Sequence, residues 1–203
     1  MTIMYHEGNR RLQDEFESRK IADRLDELAR TRFSADDQFF IESRALFLLA
    51  TADAEGRPDC SHKGGMPGFV RVSAPDELVF PDYDGNGMFK SLGNIAVNPH
   101  VGLLFIDFEK PRRLRVNGRA VISREDPLLA HTVGAQMIVR VTADAIFPNC
   151  PRYIPQMQFV SPSMYAPQAG VEFPEPAWKN FPDFAPVIHP RQPTYKGDAP
   201  AKD

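Results

Sequence analysis

The chain has 203 residues, of which 42% are hydrophobic and 25% charged, and its formal net charge is −3. This composition is typical of a soluble globular protein with one sizeable core, and the small net charge argues against an electrostatic nucleic-acid binder or a polybasic membrane anchor. No apolar run reaches the roughly 18–20 residues that span a bilayer. The N-terminus lacks the apolar stretch of a secretory signal, so we expect a cytoplasmic protein with neither membrane nor nucleic acid as a partner.

The first 43 residues are predicted to be helical. Apolar side chains recur near helical spacing across residues 9–31, which indicates one amphipathic helix. Residues 34–37 (SADD) resemble a capping box and predict the start of a second helix that continues through Ile41.

From residue 44 the pattern changes to short apolar runs between turn residues, which is typical of β-strands. Hairpin-length turns favour an antiparallel sheet, and short strands of this number usually close into a barrel. We therefore predict a mainly β fold with helices (α+β) whose core spans residues 44–150. A short helix is expected near residues 88–97, and Asp126-Pro127 opens another. The predicted strands cover residues 45–51, a return strand from 59, 69–72, 78–80, 101–108, 113–122 and 137–146.

The last part of the chain is rich in proline and aromatic residues. Residues 148–203 hold 12 of the 19 prolines, which excludes continuous sheet or helix. The aromatic content is too high for a plain disordered linker. We interpret residues 151–203 as an extended arm of the same domain that wraps either its own barrel or a partner subunit.

Cysteines and histidines give little support for metal binding. Cys60 and Cys150 form neither a disulfide framework nor a metal-ligand spacing, and we expect reduced thiols in the cytoplasm. The five histidines include no HxH or HExxH pair. We predict no metal site.

Two polar segments are candidates for ligand binding. Residues 56–68 (GRPDCSHKGGMPG) contain a predicted strand that carries polar groups where a barrel strand would alternate, so it either binds a polar or phosphorylated ligand or forms a wide bulge with a solvated Lys63. In residues 80–101 (FPDYDGNGMFKSLGNIAVNPHV) a strand runs through a glycine-rich turn into a helix with Lys90 and Ser91 in its first turn. Such a turn and helix start suit a phosphate, although an ordinary turn with a solvated lysine has the same pattern.

Taken together, three segments resemble the pyridoxamine 5′-phosphate oxidase-like family of FMN-binding split barrels. They are ALFLLATADAEGRPDCSHKGG, LVFPDYDGNGMFKSLGNIAVNPHVGLLFIDF and RLRVNGRAVI, and the resemblance covers roughly residues 40–150. It implies a six-stranded antiparallel split β-barrel that pairs into a homodimer with FMN at the interface.

The resemblance also implies which residues hold the cofactor. Lys90 and Ser91 would bind the FMN phosphate, and the remaining contacts would come from two neighbouring strands. The strand residues are Ser61, His62, Lys63 and Gly64 along the phosphate, ribityl chain and ring edge, and Tyr83 and Asn86 from the next strand.

The implied activity is FMN-dependent oxidoreduction, in which a small-molecule donor passes a hydride to flavin N5 for an unidentified acceptor. No catalytic residue is assigned. The alternatives are a non-catalytic flavin- or haem-binding protein and an F420-dependent reductase on the same barrel. The family's arginine-x-histidine ending is not matched by VIHPR at residues 187–191, so the resemblance does not extend to oxidation of pyridoxamine phosphate.

Overall fold

The computed structural model describes residues 4–172 and 174–188 and shows one mainly antiparallel β-sheet with a few helices. This confirms the predicted fold class. The strands follow the spatial order β2-β1-β5-β6-β7-β4-β3. Their bounds are β1 (Leu46–Ala52), β2 (Pro58–Gly64), β3 (Arg71–Ala74), β4 (Glu77–Tyr83), β5 (His100–Asp107), β6 (Arg112–Ser123) and β7 (Ala135–Pro148). The helices are α1 (Glu7–Glu15), α2 (Arg19–Glu27), α3 (Ala35–Glu42) and α4 (Lys90–Val97).

The strand count differs from the six that the resemblance implied, because the sheet has seven strands. The short strand β3 forms a hairpin with β4 and lies at the end of the sheet. Its four residues pair only with residues 77–79, so β3 extends the sheet beside the first half of β4.

The sheet curls into a barrel around a cluster of phenylalanines. Phe47 in β1 and Phe80 in β4 are separated by three intervening strands, which in a flat sheet would place them about 19 Å apart at about 4.8 Å per strand. Their ring centroids are 5.0 Å apart instead. Phe105 of β5 lies 5.2 Å from Phe47 in the same cluster, and all three side chains are fully buried. The two ends of the sheet, β2 and the β4–β3 hairpin, are thereby brought to the same side of the barrel.

The predicted helix over residues 9–31 is wrong, because the structure has two helices there. Glu17 adopts a left-handed backbone conformation with φ of 51°, which an α-helix does not accommodate, and the chain turns between α1 and α2. The capping box at α3 is confirmed, since Ser34 and Asp37 each accept the other's backbone N–H. The helix expected at Asp126-Pro127 is a single 3₁₀ segment, Pro127–His131.

The described part of the C-terminal arm packs against its own barrel. The Met157 N–H donates to the carbonyl of Phe108 at 3.0 Å, and Pro167 lies so close to Gly134 that a Cβ there would be 2.8 Å from the proline ring. Short 3₁₀ segments at Ala177–Asn180 and Ala185–Val187 are its regular elements. Residue 173 and residues 189–203, which include His189 and Arg191 of the VIHPR stretch, lie outside the described residues.

A charged cluster joins β4, β7 and the loop before the 3₁₀ segment. Arg140 donates from Nε to Asp126 Oδ2 at 2.6 Å and from Nη1 to Glu77 Oε1 at 2.7 Å. Asp126 is buried, and its carboxylate also accepts the Leu128 N–H at 2.9 Å. The hydrogen bonds from Arg140 hold the pKa of Asp126 below its usual value.

We expect this cluster to contribute to acid sensitivity. A carboxyl group with a lower pKa in the folded state than in the unfolded state, where it is about 3.9, stabilises the fold above that pH and loses this contribution as the pH falls. Asp126→Asn should lower the free energy of unfolding at pH 6 by about 1–3 kcal/mol and reduce its further loss between pH 5 and pH 2. Urea unfolding at several pH values measures both effects. The exposed neighbour Glu125 provides the control, Glu125→Gln, and an unchanged acid dependence in Asp126→Asn would contradict the prediction.

Candidate functional site

A cleft opens where the two ends of the sheet face each other. Because β3 pairs only with residues 77–79, the second half of β4 continues past it toward β2. The cleft, of about 390 Å³, is lined by β2, the end of β4, the glycine-rich turn and the first turn of α4.

Seven of the eight predicted flavin contacts line this cleft: Ser61, His62, Lys63, Tyr83, Asn86, Lys90 and Ser91. Gly64 does not line it. Gly64 pairs with Leu46 at the end of β2, and a Cβ at this position would collide with the imidazole of His62. The part that each residue plays in binding stays a prediction.

Strand β2 is regular, which excludes the wide bulge considered for it. It pairs with β1 in unbroken register from Pro58 to Gly64. Ser61 is opposite the buried Leu49, so Ser61 lies on the inner face of the barrel wall, and Lys63 follows on the same face. His62 is opposite Leu48 and lies on the outer face. The cleft therefore receives polar groups from both faces of this edge strand, Ser61 and Lys63 from the inner face and His62 from the outer face.

Helix α4 begins at a residue whose backbone is left-handed and whose side chain does not cap the first turn. Phe89, the N-cap residue, has a left-handed φ of 48°, and its side chain makes no capping hydrogen bond. Met88 and Phe89 separate the helix from the glycine-rich turn, where the Met88 N–H donates to Asn86 Oδ1 at 3.1 Å. The backbone N–H groups of Lys90 and Ser91 thus lie at an uncapped helix start beside the cleft.

Two hydroxyl contacts fix this helix against the barrel. The Oγ atoms of Ser61 and Ser91 are 2.8 Å apart, which joins β2 to α4. One turn further on, Asn94 Nδ2 donates to Thr51 Oγ1 of β1 at 3.0 Å, and both of these side chains are buried. Neither Asn94 nor Thr51 is among the residues predicted from the sequence. The polar position three residues after Ser91, on the buried side of the helix, is the signal that could have revealed Asn94.

The opposite wall is positioned by Gln136 of β7, which the sequence analysis also missed. Its Nε2 donates to Asp82 Oδ2 at 2.7 Å and to the carbonyl of Tyr83 at 3.1 Å. The register of β4 against β7 shifts between Asp82 and Tyr83, and such irregularities change the direction of a side chain. Gln136 therefore holds the irregular end of β4 that carries Tyr83.

The cleft is lined by side chains of both charges. Lys63 and Lys90 line it together with the carboxylates of Asp59 and Asp82. At its edge the arm residue Lys179 contacts Asp84 of the glycine-rich turn, with Nζ 3.2 Å from Oδ2. Burial raises the pKa of the Tyr83 phenol to about 12, so Tyr83 is neutral and able to donate a hydrogen bond at physiological pH.

Within the described ranges, no cluster of three or more His, Cys, Asp or Glu residues has the arrangement of a metal site. The helices described there are also not long and apolar enough to cross a membrane. The cytoplasmic location stays a prediction.

The family model described as pyridoxamine 5′-phosphate oxidase matches residues 34–161, more than half of the chain. No match was found among the curated proteins.

Several solved structures are similar to the chain. HupZ from Group A Streptococcus is 19% identical with a TM-score of 0.46, over 57% of this chain and 93% of that one. HutZ, the haem storage protein from Vibrio cholerae, is 20% identical with a TM-score of 0.43, over 57% and 94%. An FMN-binding protein from Syntrophomonas wolfei is 12% identical with a TM-score of 0.45, over 68% and 97%.

The hydrogen bond between Asn94 and Thr51 should measurably stabilise the cleft. We expect Asn94→Ala to lower the free energy of unfolding by about 1–3 kcal/mol, because it leaves the buried Thr51 hydroxyl without its donor. In the double variant Asn94→Ala/Thr51→Val the effects should be less than additive by about 0.5–1.5 kcal/mol. Chemical denaturation of the four proteins gives this coupling, and full additivity would show that the contact contributes nothing.

Proposed function

The chain belongs to the pyridoxamine 5′-phosphate oxidase family, and on this premise we propose that it is an FMN-dependent oxidoreductase acting as a homodimer. The observation that carries the proposal is the cleft at the split of the barrel, where an uncapped helix start, two lysines and a pair of serine hydroxyls meet. A phosphate and a planar ring need different surroundings, and the cleft has a part suited to each.

The residues at the start of α4 fit a phosphate dianion. The exposed Lys90 offers a full positive charge, and the first turn offers backbone N–H donors and a partial positive charge. The hydroxyls of Ser61 and Ser91 share one hydrogen bond, which leaves one O–H of the pair to donate to the phosphate. Charge-assisted hydrogen bonds of this kind are stronger than neutral ones, so this corner would hold the phosphate of FMN.

The remaining wall suits the ring and its linker. Tyr83 presents a neutral phenol and a flat apolar surface. On the same side, Asn86 and the neighbouring glycines leave backbone groups accessible to a ligand. His62 and Lys63 come from β2 and would alter the electronic properties of the flavin ring through charge or hydrogen bonding. FMN, when bound, supplies hydride transfer, while the protein supplies binding and orientation.

The two alternatives on the same barrel predict different spectra and reactions. A yellow protein bleached by NAD(P)H supports the oxidoreductase, and a yellow protein inert to donors supports a flavin-binding protein. A colourless protein that takes up haem would support haem binding. Turnover with reduced F420, without reaction with FMN, would support the F420-dependent reductase.

Lys90→Ala should weaken FMN binding by about 10- to 100-fold, because it removes a charge-assisted hydrogen bond. Riboflavin has the same ring and ribityl chain but no phosphate, so its affinity should not change. Quenching of flavin fluorescence measures both affinities.

The matched control is Lys110→Ala, which removes an exposed lysine in the turn between β5 and β6. It should leave both affinities at the wild-type value. Equal FMN affinity in Lys90→Ala and wild type would refute the phosphate assignment, and equal losses for FMN and riboflavin would point to a general disturbance of the cleft.

The outer face of β1 and β5 supports the homodimer. An antiparallel sheet that faces water normally alternates apolar inward and polar outward residues. Apart from the exposed His100 at the start of β5, the outward side chains here are also apolar or small: Leu46, Leu48, Ala50 and Ala52 in β1, with Gly102, Leu104 and Ile106 in β5. Leu48 pairs with both Leu104 and the cleft residue His62, so this face continues to the edge of the cleft. A second copy on this face would lie beside the cofactor.

We expect Leu104→Glu to convert the dimer to a monomer, because it places a charge in the centre of this apolar face. The affinity for FMN should fall in the same variant. Light scattering coupled to size-exclusion chromatography gives the mass.

Val121→Glu is the control, because Val121 is 67% exposed and lies near the C-terminal end of β6, outside β1 and β5. It should keep the mass of the wild type. A Leu104→Glu protein that is folded by circular dichroism and still dimeric would place the interface on another surface.

A further inference from the structure

We propose that a second cavity, beside the flavin cleft, binds a small carboxylate with an apolar body. The cavity lies between the loop after β2, strand β4, the Pro127–His131 segment and the arm. This proposal goes beyond the flavin function and does not require it. The two spaces have separate linings, in which Tyr83 alone is shared.

Its size and its walls define the body of the ligand. The cavity measures about 200 Å³, below the roughly 300–1,000 Å³ of sites for drug-sized ligands. Phe69, Val79, Leu128 and Ile138 give the walls apolar surface beside the polar groups. A single ring or a short branched chain matches both properties.

The charges of the cavity favour an anion. Arg71 and His131 line it, while none of the lining residues is Asp or Glu. The Nε of Arg71 donates to the carbonyl of Gly68 at 3.2 Å. Across residues 4–172 and 174–188 no carboxylate forms an ion pair with Arg71. Its terminal nitrogens therefore remain available for a carboxylate, which they match in a two-point geometry.

Tyr83 supplies a second polar group on the same wall. Burial raises the pKa of its phenol, while the positive charge of Arg71 acts in the opposite direction. The phenol is thus a neutral donor within the electrostatic reach of the guanidinium. A carboxylate would accept from both groups and leave its apolar part against the hydrophobic walls.

The arm closes one side of this cavity at a defined contact. Pro167, Gln168 and Ala169 form that side. Gly134 has a positive φ of 74°, and a Cβ on it would lie 2.8 Å from Pro167 and 3.8 Å from the Tyr83 ring. Because Gly134 has no side chain, the arm can approach Tyr83. The walls of the cavity are therefore formed by the arm as well as by the barrel.

Isothermal titration calorimetry with benzoate as the probe tests the proposal on the full chain, with and without bound FMN. Benzoate should bind in both forms, and benzyl alcohol, which has the ring without the charge, at least tenfold more weakly. Arg71→Gln should weaken benzoate at least tenfold and leave benzyl alcohol unchanged. Arg124→Gln, which alters an exposed arginine outside the cavity, should keep wild-type affinity.

A second variant locates the binding. Ala169 is exposed at the edge of the cavity, so Ala169→Trp should be tolerated by the fold and block benzoate by filling the entrance. No benzoate binding to the wild type, or equal binding to wild type, Arg71→Gln and Ala169→Trp, overturns the proposal. Binding to the flavin-free protein that fails only after FMN is added would place benzoate in the cleft and also overturns it. Loss of FMN binding with benzoate binding intact would refute the flavin function alone.

Discussion

The incomplete pairing of β4 is the constraint on which the rest of the structure depends. The Phe47, Phe80 and Phe105 cluster requires the sheet to curl until its ends meet, yet β3 covers only residues 77–79 of β4. The ends therefore approach each other without a hydrogen-bonded seam. Side chains rather than backbone groups fill the opening, which turns the split of the barrel into a place for a ligand.

Side-chain contacts position both walls of the split, where strand pairing is missing. Ser61 meets Ser91, and Asn94 meets Thr51, so α4 is tied to β2 and β1. Gln136 holds the irregular end of β4 on the other side. Both walls of the cleft are thus positioned by buried or partly buried polar contacts, and loss of the buried one between Asn94 and Thr51 is the most costly because water cannot replace a partner there.

Local patterns made much of this architecture predictable. The apolar runs and turn residues located every strand of the barrel, and the residues around Lys90 and Ser91 carried the family resemblance. The two N-terminal helices were not separated, because a left-handed Glu17 leaves no mark in an amphipathic pattern. Contacts between distant segments were missed as well. Gln136 lies more than 50 positions from Asp82, and Lys179 lies 95 positions from Asp84, so their pairing depends on a fold that spacing alone does not define.

Tyr83 connects the cleft and the second cavity, and its position follows from the same constraint. It ends β4 beyond the reach of β3, where the register against β7 shifts and Gln136 donates a hydrogen bond to the Tyr83 carbonyl. Its ring lies near Gly134, the glycine that admits Pro167 of the arm. A ligand in either space would contact this ring, and movement of the arm would change the surroundings of both. The described part of the arm, residues 151–172 and 174–188, therefore forms one wall of the second cavity, although it contributes no strand to the barrel.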